Sequence, residues 1–233
     1  MTKVKLLKSL PAITIATIAL NSHAHTETSI LAVGPRVGLQ GFGIEARTPI
    51  TESIFARANA NYFTYRHKLN DGNINYKGKL TLLTVPVMID WHPIENSGFR
   101  ISVGAAYNGN QLEIKGTTNQ NVTLNGTTYT PAQIGHVKGK LKLGSRVAGV
   151  ASLGYDGSFI DNGPFSFNLE AGIIYAGSPK LSVTAKDSIL STLPALQAKV
   201  EQDIKKDAEK SIKKIKKYLN VFPILSIGFK YAI

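Results

Sequence analysis

Hydrolytic or group-transfer chemistry needs a nucleophile, a base within hydrogen-bond reach and a group that orients the base. The chain has five histidines and no cysteine. Beyond His23 they are His25, His67, His92 and His136, and none shares a motif with a serine. His92 falls at a turn, in Asp90-Trp91-His92-Pro93, and reads as structural. His67 and His136 fall in segments expected to be exposed. No catalytic residue is assigned. No paired His or Cys spacing suits a metal, so neither a metal site nor a cofactor is expected. Gly41-Phe42-Gly43 reads as a turn and not a phosphate loop, because no helix follows. Asn121-Val122-Thr123 and Asn125-Gly126-Thr127 match the glycosylation pattern, which is common by chance.

The charged residues offer a different chemistry. Arg36, Glu45, Arg47, Arg57, Asp90, Arg100, Lys142, Arg146, Glu170 and Lys230 each occupy the polar side of a segment that alternates apolar and polar residues. In a barrel they would face the lumen, seven basic groups against three acidic ones. Two arrangements follow. One is an ion-paired core filling a narrow barrel. The other is a narrow basic passage favouring anionic solutes. A second basic group, Lys206, Lys210, Lys213 and Lys217, lies on a segment with helical spacing and is expected to contact lipopolysaccharide phosphates.

Elements with period-two alternation must hold the lumen set. They run over about 31–40, 42–48, 54–65, 76–91, 99–114, 138–155 and 165–175, and from 225 to the C-terminus. Eight antiparallel strands make the smallest common single-chain membrane barrel. The apolar phase slips between Leu82 and Leu83, predicting a bulge or a strand leaving the membrane. Residues 116–135 read as a long loop, with a possible hairpin at Asn125-Gly126. Over about 192–219 the apolar residues Leu193, Leu196, Val200, Ile204, Ala208, Ile212, Ile215 and Leu219 follow helical spacing, with Thr192 as N-cap. This amphipathic helix is predicted between strands seven and eight, covering the barrel mouth or the external loops.

Both ends of the chain agree with this reading. The last strand closes on Gly228, Tyr231 and Ile233, which resembles the assembly signal of bacterial outer-membrane barrels. Residues 1–24 carry Lys3, Lys5 and Lys8, a short apolar run and Ser22-His23-Ala24, the order of a cleaved secretory signal. Residues 25–233 would then form one domain. Without the signal's three lysines the formal charge falls from +12 to +9. Anionic lipid and lipopolysaccharide are the expected acidic partners, and export argues against nucleic acid. Oligomeric state is left open.

Asp90-Trp91-His92-Pro93, the run from Asn125 to Gly135 and Gly177-Ser178-Pro179-Lys180 resemble a family of small, mostly uncharacterised Gram-negative outer-membrane proteins. The resemblance covers nearly the whole chain. It implies a signal peptide, an eight-stranded barrel and a helical insert before the last strand. It brings no catalytic residues. The chain departs from the family in its terminal Ile233 and in its lysine-rich helix. The reading is a non-enzymatic outer-membrane surface protein inserted by the barrel-assembly machinery. A narrow channel is the alternative, and a lipid-modifying enzyme comes third.

Overall fold

A computed structural model describes residues 31–233 apart from 72–73, 96, 160–162 and 187, and leaves aside the side chains of 69–71, 74–75, 159, 191 and 211–218. The expected signal peptide and the centre of the turn at Gly72-Asn73 lie outside the described residues. The fold is all-β with antiparallel pairing, and thirteen strands occur among the described residues. They are β1 Ala32–Gly38, β2 Gly41–Pro49, β3 Ile54–Asp71, β4 Ile74–Trp91, β5 Phe99–Asn108, β6 Gln111–Thr118, β7 Val122–Leu124, β8 Thr127–Tyr129, β9 His136–Lys142, β10 Val147–Asp156, β11 Phe165–Tyr175, β12 Lys180–Lys186 and β13 Val221–Ala232.

The expected count of eight is therefore too small for the sheet as a whole, and the pairings explain why. The circuit β1–β2–β3–β4–β5–β10–β11–β13 returns to β1 and closes a ring. Above the ring β4 continues upward beside β6, followed by β9 and β12, making an upper sheet ordered β3–β4–β6–β9–β12. The expected strands 99–114 and 138–155 are each two strands, and β12 was not expected at all.

The ring alternates as its sequence predicts. Val87, Ile89, Val103, Leu153, Leu169 and Ile227 are exposed on its outside. Inside, Met88, Ala106, Val150, Ile174 and Ile224 form an apolar cluster. Around Leu82 and Leu83 the β3–β4 pairing keeps one register, with Tyr62 opposite Leu83 and Tyr65 opposite Leu80, so no bulge interrupts it. What changes is the environment. Below this level apolar side chains point outward, and above it they point to the lumen side.

At the same level three neighbouring staves break. β5 gives way to β6 at Gly109-Asn110, β9 to β10 at residues 143–146, and β11 to β12 at residues 176–179. Gly144 and Gly177 have φ of 101° and 69°, which only glycine adopts without strain. Backbone bonds stitch the breaks together: Leu143 N donates to Asn110 O at 2.9 Å and Ser145 N to Ala176 O at 2.6 Å. Asn108 Nδ2 donates to the carbonyls of Leu143 and Ser145, and Asn110 Oδ1 accepts from Leu83 N at 2.8 Å. This seam shifts the phase of β9 by one residue relative to β10, so Leu141 and Leu143 are buried and not outward-facing.

Two helices serve the upper sheet. α1, Pro131–Ile134, is fixed by a capping box between Thr130 and Gln133. It follows the β7–β8 hairpin, whose turn residues Asn125 and Gly126 have positive φ. α2, Pro194–Lys216, follows β12 and packs on it. Thr192 is not its cap but ends a 3-10 turn that Ser188 caps. Val200 of α2 joins Tyr129 and Ile134 in a second apolar cluster. β12 is one edge of the upper sheet, and the part of β3 above Tyr62 is the other. α2 satisfies part of the β12 edge: Ala185 N donates to Glu201 Oε1 at 2.8 Å, and Gln197 Nε2 donates to Ala185 O at 2.9 Å.

Candidate functional site

Inward alternation on the ring brings Arg36, Glu45, Arg47, Arg57, Asp90, Arg100, Glu170 and Lys230 into one buried cluster. Arg57, from β3, lies at its centre. Its Nε and Nη2 donate to Asp90 Oδ2 and Oδ1 at 2.8 and 3.0 Å. Its Nη1 and Nη2 donate to Glu170 Oε2 and Oε1, both at 2.9 Å. From β3, β11 is reached through β4, β5 and β10 one way and through β2, β1 and β13 the other. The Arg57–Glu170 bridge therefore joins opposite staves. Arg47 of β2 bonds Asp156 of β10, also opposite staves. Arg36 donates to Glu45 at 2.9 Å and to Glu170 at 2.8 Å, and Lys230 bonds Asp156. Arg100 sits 3.7 Å from Asp90 and 3.5 Å from Asp156.

Two expected members lie elsewhere. Lys142 is exposed at the lower end of β9, beside the seam, and Arg146 is exposed in the break after it. The seam's phase shift places them there. One acid was missed: Asp156, fully buried, ends β10 just before Gly157 and reads as a turn in sequence. The cluster thus has five basic groups, Arg36, Arg47, Arg57, Arg100 and Lys230, against Glu45, Asp90, Asp156 and Glu170. His92 is also buried there, with its Nε2 2.7 Å from Arg47 Nη2 and its ring edge-on to Phe55. Such a cluster is a polar filling. Above it the apolar cluster around Met88 and Ile174 forms a second layer across the lumen.

The upper sheet has two unlike faces. On the face continuous with the lumen, Leu80, Leu112, Leu141 and Leu181 stand side by side, and Ile114 and Val183 belong to the next apolar row. Between them and Ile204 and Ala208 of α2 lies a cavity of about 340 Å³. The opposite face continues the outer wall. Arg66, Lys79, Glu113 and Lys140 form one cross-strand row there, and Lys68, Lys77, Lys115 and Lys138 form the next. A cleft of about 590 Å³ opens among the last four, with Lys186 and His136 also on its lining. Sequence reading missed this face because its lysines come from four separate strands.

On α2, Lys206 and Lys210 are exposed, and Lys210 Nζ donates to Asn125 Oδ1 at 3.0 Å. The side chains of Lys213 and Lys217 lie outside the described residues. Asp203 accepts from Tyr129 Oη at 2.7 Å and from Asn125 at 3.2 Å, tying α2 to the hairpin. The Tyr129 bond holds the Asp203 carboxyl below its ordinary value, while burial and the neighbouring carboxylate push the Tyr129 phenol up. Gly228, Tyr231 and Ile233 are in or beside β13, where Tyr231 pairs with both Val33 and Phe165. His67 stacks on Tyr65 with centroids 6.1 Å apart. Among the described residues no three His, Cys, Asp or Glu are grouped to hold a metal, and no helix is long and apolar enough to cross a membrane.

No family model matches the chain, and no curated protein matches its sequence. Among solved structures it is similar to CarO2 of Acinetobacter baumannii, with 17% identity and a TM-score of 0.50, covering 89% of this chain and all (100%) of that one. CarO of the same organism gives 15% and 0.49, covering 88% and 98%. Ail, the attachment invasion locus protein of Yersinia pestis, gives 9% and 0.34, covering 86% and 96%. The first likeness is one of fold: all-β, mostly antiparallel, as in outer-membrane β-barrels.

Proposed function

We propose that this chain is an exported outer-membrane barrel of eight staves, closed along its lumen, that presents its upper sheet and α2 at the cell surface as a non-enzymatic structural or interaction module. The apolar outer band of the ring and the fold likeness to CarO2 support the location. The carrying observation is the pair of ion bridges between opposite staves, Arg57–Glu170 and Arg47–Asp156. A ring of this size is only wide enough for its own side chains. The bridges take up the lower lumen, and the Met88 cluster takes up the upper. A basic passage for anions is not favoured, because five cations facing four carboxylates leave little charge to attract a solute. In this reading the signal over residues 1–24 is removed on export. Gly228, Tyr231 and Ile233 engage the assembly machinery, and outer-leaflet lipopolysaccharide is the nearest partner.

Planar-bilayer recording of the refolded protein tests this. No resolved conductance steps are expected above bare-bilayer leakage. Regular, ion-selective steps from heat-modifiable, folded protein would overturn the closed-lumen reading.

A further inference from the structure

The row Lys68, Lys77, Lys115 and Lys138 sets like charges directly opposite one another across four adjacent strands. Facing residues have Cβ atoms only about 5 Å apart, and like charges so placed are destabilising. Among the described residues Lys68, Lys77 and Lys115 have no acidic partner, and Lys138 is only 4.0 Å from Glu113, which also serves Lys140 at 3.5 Å. The two rows together hold seven basic residues and one acid, Glu113. A packed sheet could relieve this by one substitution per strand. Keeping the lysines in register suits a polyanion that lies across the strands.

The position of the row identifies that polyanion. Lys77 and Lys79 share a side of β4 with Val85, Val87 and Ile89, and no register break intervenes. The basic face therefore stands directly above the lipid-facing wall, within a few residues of its apolar edge at about 3.3 Å per residue. Resting on the outer-membrane reading above, the geometry points to the phosphate groups of lipopolysaccharide, docked across Lys68, Lys77, Lys115 and Lys138 with Lys186 at the cleft's rim. The site is on the strand face and not on α2, which packs against the other side of the sheet through Ile204 and Ala208.

The test uses full-length refolded protein in zwitterionic micelles titrated with lipopolysaccharide. Combined Lys68→Gln, Lys77→Gln, Lys115→Gln and Lys138→Gln is expected to weaken binding by about tenfold or more at low salt, with the difference shrinking as salt is raised. Without lipopolysaccharide the same variant should unfold no more easily than the parent, because a repulsive row has been removed. Dephosphorylated lipopolysaccharide should bind the parent about as weakly as native lipopolysaccharide binds the variant. The proposal is overturned if the fourfold variant binds unchanged, or if Lys206→Gln with Lys210→Gln costs as much. It is equally overturned if pyrophosphate displaces lipopolysaccharide where chloride of equal ionic strength does not, since the site would then be one for free phosphate. Binding in micelles and conductance in bilayers are read separately, so either proposal can fail without the other.

Discussion

Arg57 is 1% exposed and shares its guanidinium among three carboxylates, Asp90 and Glu45 on the two neighbouring staves and Glu170 on the opposite one. Removing one partner of a buried ion set leaves uncompensated charge and costs about 3–5 kcal/mol. Arg57→Met should therefore lower unfolding stability in urea by that amount. Arg146→Met, at an exposed site, should change it by less than about 0.5 kcal/mol. Equal effects would show that Arg57 is not the keystone of the lumen. The Tyr129–Asp203 bond is the titratable link outside the membrane wall. Because the Asp203 carboxyl titrates below its ordinary 3.8, its stabilisation is present above that value and is lost as pH falls through the lower folded one. The raised Tyr129 phenol works in the opposite sense: its contribution is present below pH 10 and is lost as pH climbs past its folded value. Protease cleavage of α2 by an acid-active protease should accelerate only as pH falls below about 4 in the parent. Asp203→Asn should flatten that dependence, and an unaltered acid limb would remove Asp203 from the account.

At the scale of elements, alternation made the ring readable. Every inward charge on β1, β2, β3, the lower half of β4, β5, β11 and β13 could be placed, because lipid demands apolar residues on every second position. The seam escaped for the opposite reason. Period two continues through it, so alternation alone cannot tell whether Leu141 faces lipid or the covered side of an upper sheet. The same ambiguity sent Lys142 and Arg146 to the lumen. β12 was missed because Lys-Leu-Ser-Val-Thr-Ala-Lys carries only two large apolar residues, and Asp156 because it adjoins a turn glycine. Ion pairs between opposite staves have no signature at all, since their partners are more than a hundred residues apart: Arg57 and Glu170 are separated by 113 positions and Arg47 and Asp156 by 109. The seam itself depends on Asn108, whose amide bonds two carbonyls of the break, Leu143 at 2.8 Å and Ser145 at 3.0 Å. Asn108→Leu should cost about 1–3 kcal/mol in urea unfolding. A neutral result would mean that the broken staves hold their own ends.

For the whole molecule, closure depends on β13. It pairs with β1 on one side and β11 on the other, and at its end Ile233 N donates to Leu31 O and Ala232 N to Pro164 O, both at 2.8 Å. Deleting Tyr231, Ala232 and Ile233 unpairs two staves at once where lipid offers no hydrogen bonds. Loss of heat-modifiable, membrane-inserted protein is expected, and normal insertion of the truncated chain would refute it. The stitched breaks between β5 and β6, β9 and β10, and β11 and β12 also make the molecule mechanically uneven. Among the described residues only β3 and β4 cross that level as unbroken strands, so they act as a stiff spine beside a crease. A tangential load on α2 reaches that spine through β12, β9 and β6, and reaches the ring through the 3-10 turn Lys217–Asn220 that leads into β13. The upper sheet would lean about the spine as a flap leans on its hinge pin, while the ring below, braced across its diameter, keeps its round section.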